Sequence, residues 1–367
     1  MARRLKGARL HWRNRDAEGK ESTWEIRDES SRISTGTSSR QEAELLLSEY
    51  LSQKHRPAGP VGPHEMSISQ CLTIYADEHA TYVVDPPRIG YAIDALDRFW
   101  ADQPTSIIAG NTCRKYANSR VTRFGKPASN GTIRRELSVL QAALNYCHGE
   151  GYLTSVPKVT LPPKPPARER WLTRQEAAWL LRGARNLRVD GRHLADFILH
   201  ALYTGSRKVT ILAMYINTPS LVGGHVDTVQ GILYRKPRGK SETAKWQRPA
   251  RIPPRYLAHL RRQAKRGRKY VVQDYRGNRV GEIKHSWSRA RNLAMELARA
   301  KGIEFDLSDV TPHTLKHTAI TWALQKGVSI WETAGYFSTS PETINRVYGH
   351  HSPDFLKGAI DALNRSK

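Results

Sequence analysis

Thr311-Pro312-His313-Thr314-Leu315-Lys316-His317, followed further on by Arg346-Val347-Tyr348-Gly349-His350-His351, is the stretch that decides how this chain is read. Thr311 suits a helix cap, and Pro312 suits the first helical position, where no N–H is needed. His313 and Lys316 are three residues apart, so helical spacing puts them on one face. An imidazole and a cation then meet near a helix N-terminus, where free N–H groups favour an anion. Upstream, Thr204-Gly205-Ser206-Arg207 stops one helix at the glycine, caps the next with the serine and adds a guanidinium in its first turn. That planar fork suits two oxygens of a phosphate. Tyr348 ends a short helix opened by Ser340-Pro341. A phenol, with a reference pKa of ~10, is a poor nucleophile at neutral pH. Cations that stabilise the phenolate make it a useful one.

Composition indicates which phosphate is meant. Lysine and arginine number 59 against 34 acidic residues, a net charge of +25 in 367 residues. A surplus of that size, spread along the chain and mixed with Tyr and Trp, calls for a polyanion, and double-stranded DNA is the expected partner. No membrane partner is expected, because no apolar run approaches the ~20 residues of a span. The first residues, Met1-Ala2-Arg3-Arg4-Leu5-Lys6, lack the apolar stretch of a secretory leader. Cys71, Cys113 and Cys147 are odd in number and far apart. They fit a reducing cytoplasm, with the protein on the bacterial nucleoid, and suggest neither a disulfide framework nor a zinc knot.

A chain of this length calls for two or three domains. The pattern predicts a multidomain, mainly α protein. Residues 1–58 read as a small module with strands at 8–14, 23–28 and 31–37, then a helix over 41–53 with Ala43, Leu45, Leu46, Tyr50 and Leu51 on its apolar side. Trp24 and Ile26 could form its small core. Residues 64–155 read as all helical: Ile89, Ile93, Leu96 and Trp100 share one stripe, and Ile133, Leu137, Leu140 and Leu144 another. Between these stripes Arg114, Lys115, Arg120, Arg123 and Lys126 form a basic run with few balancing acids, and Arg134 and Arg135 follow. The run is read as a phosphate-contacting face, against the plainer reading of a solvated helix. Residues 156–170, with Pro162-Pro163-Lys164-Pro165-Pro166, read as a stiff basic linker. The last domain, 171–367, begins with the capping box Thr173-Arg174-Gln175-Glu176. It is expected to mix helices (194–203, 283–301, 311–326, 329–336, 341–348, 354–365) with a small antiparallel sheet from 225–235 and 250–253. The loop between those strands, Tyr234 to Pro253, is rich in cations: Lys236, Arg238, Lys240 and Lys245 among them.

The order Arg207, hairpin lysine, His313-x-x-Lys316, Tyr348 resembles the tyrosine recombinase, or phage integrase, family. The resemblance covers the C-terminal half at motif level and the N-terminal half as a domain pattern. It implies an arm-binding-like module, a helical core-binding domain and a catalytic domain that clamp DNA. Tyr348 would form a 3′-phosphotyrosyl bond. Arg207 and Lys316 would stabilise the charged phosphorus, and His313 would accept or share the tyrosine proton. A hairpin lysine would protonate the leaving 5′ oxygen. Lys245, eight residues before Pro253, fits the family spacing, with Lys240 and Lys236 as rivals. No metal or other cofactor is required. Four protomers would exchange strands on two DNA partners at attachment sites, aided by a directionality factor or a host DNA-bending protein, and the C-terminal helix would dock on a neighbour. Integration of a prophage or mobile element is the expected use.

The sequence also departs from that pattern. The second arginine is Lys316, which loses the planar fork. The family's later His or Trp, about nine residues before the nucleophile, is Thr339, and its Glu after the first arginine is Thr210. These keep alive a catalytically degenerate DNA-binding regulator on the same clamp. A type IB topoisomerase is a neighbouring possibility, and a structural nucleoid or RNA-binding protein a third reading. Tyr336 is the fallback nucleophile. His313 and His317 also match an i, i+4 zinc pair, although Thr314 stands where such a site needs Glu.

Overall fold

The structure, a computed structural model, describes residues 8–14, 21–28, 31–55, 59–83, 85–165, 170–239 and 247–349. Its contacts divide the chain into two units, Met1–Pro166 and Ala167–Lys367.

The first unit opens with three antiparallel strands, β1 (Arg9–Arg13), β2 (Thr23–Asp28) and β3 (Ser31–Ser34), with β2 in the middle. Trp12 pairs across from Trp24, and their rings meet edge to face at 5.2 Å. Helix α1 (Arg40–His55) lies against this sheet: Ala43 is buried with Ile26, and Tyr50 donates to Asp28 at 3.0 Å. Leu45 and Leu46, expected on the apolar side, face solvent. One small sheet offers a single helix only a narrow contact row.

Four helices follow: α2 (Ile68–Glu78), α3 (Pro86–Trp100), α4 (Gly110–Ser119) and α5 (Asn130–Gly149). The α5 stripe Ile133, Leu137, Leu140 and Leu144 is fully buried, each side chain contributing ~1.5–3 kcal/mol of burial. Trp100 stacks on Tyr116 at 4.9 Å, which joins α3 to α4. The expected linker begins differently from a free spacer. Val159 is buried in this core and donates its N–H to Gln141, so this part of the chain lies along α5.

In the second unit the capping box at Thr173 opens α6 (Arg174–Arg185), as its pattern requires. Next come α7 (His193–Thr204), the five-residue α8 (Lys208–Leu212), and strands β4 (Tyr215–Ile216), β5 (His225–Asp227), β6 (Ile232–Tyr234) and β7 (Ala250–Arg251), in that spatial order. The sheet is mixed, because β4 pairs parallel with β5 while the remaining pairs are antiparallel. The expected single strand over 225–235 is broken by a turn. Asp227 accepts from the N–H groups of Val229 and Gln230, and Gly231 turns at φ +69°.

Helices α9 (Pro254–Lys265), α10 (Lys284–Arg299), α11 (Pro312–Leu324), α12 (Ile330–Phe337) and α13 (Pro341–Tyr348) complete the unit. Prolines and many cations hid α9 from the sequence reading, yet Pro254 takes a first-turn position and Tyr256 and Leu260 are buried. Helices α6 and α10 cross closely, and a Cβ on Gly183 would lie 2.4 Å from the Ala290 carbonyl. Leu315 of α11 joins the main core, while Ala319, Ile320 and Leu324 pack with Ala334, Phe337, Ile344 and Tyr348. Because α11 is covered on two sides, its polar residues are forced into the interior. The C-terminal helix expected over 354–365 lies outside the described residues.

Candidate active site

Gly205 ends α7 in the left-handed region at φ +57°, and a Cβ there would come within 2.3 Å of the Phe337 ring. Only glycine allows both the turn and this approach of α12. The turn delivers Thr204, Ser206 and Arg207 together. Ser206 is buried and does not cap the next helix; Arg207 holds that position. With α8 only five residues long, the dipole expected to help bind phosphate is short, and the guanidinium carries the site. Arg207 is half-exposed and lines a cleft of about 670 Å³ together with Arg248, Ser338, Thr339 and Ser340.

The opposite wall is the tight turn between α12 and α13. Ser338 adopts φ +50°, Thr339 donates its N–H to Ala334, and Ser340 caps α13. The Ser338 hydroxyl is buried and finds no partner among the described residues.

Lys316 reaches inward from α11. It is buried, and its Nζ donates to the Phe337 carbonyl at 2.9 Å. Burial first, then the charges of Arg207 and Arg235, pull its pKa down to about 7.

Sequence reasoning missed Arg235. It is 4% exposed, and its guanidinium donates to the Ser206 hydroxyl and to the carbonyls of Thr204, Arg248 and Tyr336. Burial, aided by the charge of Arg207, lowers its pKa to about 10. The signal was present: Leu233 points inward on β6, and the two-residue period of a strand sends position 235 the same way. No ion pair among the described residues involves Arg207, Arg235 or Lys316. Cations gathered in a low-dielectric setting without a carboxylate repel one another, and an incoming anion relieves that cost.

Tyr348 is buried, and burial raises its pKa. Its hydroxyl lies 2.8 Å from Nδ1 of His317, not on His313. His313 is exposed and meets His317 edge-on at 4.7 Å. His313 and Lys316 thus leave α11 toward different depths: the first toward the surface, the second under α12. Tyr336, the alternative nucleophile, donates its hydroxyl to the Tyr203 carbonyl at 3.0 Å. Among the described residues no three His, Cys, Asp or Glu side chains gather as a metal site.

Lys240 and Lys245 lie outside the described residues. Lys236 and Arg238 stand where the chain leaves β6, and Arg238 is exposed. In the first unit Arg114, Lys115, Arg123, Lys126 and Arg135 are exposed, with Arg123 over the ring of Phe124. Arg120 and Arg134 are internally engaged, by Glu136 and by the Pro162 carbonyl.

No family model matches this sequence, and no curated protein matches it. Solved structures do. An integrase of the transposon Tn1549, in complex with transposon right-end DNA, matches with a TM-score of 0.64 at 13% identity over 82% of this chain and 100% of that one. A lambda integrase dimer bound to a COC′ core site matches with a TM-score of 0.55 at 16% identity over 95% and 96%. A lambda integrase tetramer bound to a Holliday junction gives 0.54 at 16% over 93% and 94%. The chain therefore has the fold of these integrases.

Proposed function

We propose that this chain, sharing the fold of the tyrosine-recombinase integrases, is a DNA strand-exchange enzyme that cuts and rejoins through Tyr348. The observation that carries the reading is the group of three cations, Arg207, Arg235 and Lys316, without an acidic partner among the described residues, on a unit whose buried tyrosine is hydrogen-bonded to a histidine. A scissile phosphate in the Arg207 cleft would neutralise that group, with Thr339 giving it one further hydrogen bond. Arg207 and Lys316 would stabilise the charge developing on phosphorus. Tyr348 would attack to give a 3′-phosphotyrosyl bond, and a lysine of the 235–247 loop, Lys245 by spacing, would protonate the leaving 5′ oxygen. The exposed cations of the first unit would hold the flanking duplex, and residues 1–58 would serve as an arm-binding module. Integration or excision of a mobile element by a DNA-bound tetramer is the biological use this implies.

The test is trapping. Nicked duplexes tiling the sequences on both sides of the protein's own gene are incubated with the protein, and a denaturant-resistant adduct is sought. The expected result is an adduct with the wild type, none with Tyr348→Phe, and unchanged DNA binding in both. Tight binding without an adduct supports the second reading, a DNA-binding regulator on the same fold. That reading is favoured by Lys316, whose ammonium is engaged by a carbonyl and only partly charged near neutrality.

A further inference from the structure

We infer that His317, rather than His313, takes the proton of Tyr348 as the phenol attacks DNA; the inference rests on the proposed role of Tyr348 as nucleophile. The phenol oxygen and Nδ1 of His317 are 2.8 Å apart, and the two rings lie 5.4 Å apart, tilted by 40°. In the tautomer this role needs, the imidazole keeps its own hydrogen on Nε2 and a bare Nδ1 accepts the hydrogen of the phenol.

The fold explains why this histidine is the one that reaches. Neighbours on an α-helix point roughly 100° apart. Lys316 therefore turns to the end of α12 while His317 turns to α13, where Ile344 and Tyr348 are buried against α11. His313, one turn back on α11, ends at the surface, its ring edge-on to that of His317.

Among the described residues, the charged and titratable groups around His317 are His313 and Lys316 on its own helix and Tyr348 on α13. Burial first, then the charges of His313 and Lys316, hold its pKa down to about 4, so Nδ1 keeps its lone pair at neutral pH. A base that weak leaves the phenol intact in the free protein. A phosphate bound beside Lys316 offsets part of the depressing charge and makes the ring more basic when the reaction needs it.

In the forward step the Tyr348 O–H bond breaks and its proton passes to Nδ1. The oxygen's electron pair forms the O–P bond. The P–O5′ bond breaks with its pair on O5′, which takes a proton from the hairpin lysine. Religation reverses each step, and the imidazolium returns its proton to the phenol.

The test uses the full-length protein, the tiled nicked duplexes, and tyrosine or fluorotyrosine at position 348. His317→Asn keeps an acceptor near Nδ1 but no usable base, and His317→Ala keeps neither. Both variants are checked for folding by circular dichroism and for binding to the same duplexes. The expected result is a ~10²-fold or greater slowing of adduct formation in each. Fluorotyrosine, whose phenol gives up its proton more readily, should recover most of the loss in His317→Asn and change the wild type little. Unchanged rates in both variants overturn the assignment. A loss that fluorotyrosine leaves in place also overturns it, because His317 would then only position the phenol. A wild type that forms no adduct overturns the nucleophile reading and this assignment with it.

Discussion

Two poorly exposed arginines in this chain have opposite surroundings. Arg120, in the helical part of the first unit, meets Glu136 through two hydrogen bonds of 3.1 and 2.8 Å, and the same carboxylate accepts from Tyr116 at 2.7 Å. Its charge is cancelled inside the protein, and the hydrogen bond to Glu136 raises its pKa. Arg235 is more deeply buried, yet it is surrounded by carbonyls and a hydroxyl. Carbonyl dipoles satisfy its N–H groups but leave a full positive charge, with Arg207 and Lys316 beside it. The first arrangement is complete as it stands. The second would be completed by an anion from outside, as the proposed function requires, whereas a buried salt bridge marks structure.

Substitution on each side should separate the two. Arg235→Met is expected to slow adduct formation by ~10²–10³-fold, since one of the three cations proposed to offset the developing phosphate charge is lost. The rate is measured at a temperature where the variant remains folded, because three carbonyls also lose their donor. Glu136→Ala should instead destabilise the first unit by ~3–5 kcal/mol in urea titrations, because Arg120 is left without its partner. Where that variant is folded, its adduct rate should match the wild type. A normal rate in Arg235→Met would reduce Arg235 to a clamp and break the comparison.

The contrast also shows what the sequence could and could not tell. Local signals were read well. The Thr173–Glu176 capping box, the Ser340-Pro341 helix start and the α5 stripe each depend on residues within a few positions of one another. Arg235 becomes significant only when α7, the chain entering β7 and α12 bring the Thr204, Arg248 and Tyr336 carbonyls around it, and those lie apart in the chain. His317 was visible as a spacing but not as a partner, because the contact needs α13 folded onto α11. The 225–235 segment was misread because Asp227 and Gly231 were not weighed as turn residues. In each miss, tertiary packing or turn chemistry decided what periodicity alone left open.

Lys316 offers a smaller test. Its folded pKa, about 7, lies below its ordinary value of 10.5, so the unfolded chain binds more protons between those limits. Folding stability contributed by this residue should therefore be lowest below pH 7 and rise as pH increases toward 10.5. Adduct formation should move the other way. Above pH 7 the free protein loses one of the cations proposed to bind phosphate, and the rate at limiting DNA should fall by up to ~10-fold per pH unit. Lys316→Arg, whose guanidinium stays charged, should flatten both profiles across pH 6–9 and raise the rate at the alkaline end. A wild-type rate that stays level over that range would show that Lys316 remains charged, and the three-cation account would then apply without a pH limit.

The smallest effect expected lies on the exposed side of the first unit, on the helix that ends just before Arg120. Lys115 on α4 is exposed, so its charge is available to a neighbouring phosphate. Lys115→Ala should reduce the slope of log affinity against log salt by about one and weaken DNA binding similarly on all sequences. Its effect on stability should stay within ~0.5 kcal/mol, as for other surface changes. Arg120→Ala should show the reverse, with stability lost as Glu136 is left buried without its cation and the salt slope unchanged. Finding the salt effect at Arg120 would mean that its pair with Glu136 opens on DNA. The distinction between the arginine closed on itself and the one left open would then hold only in the free protein.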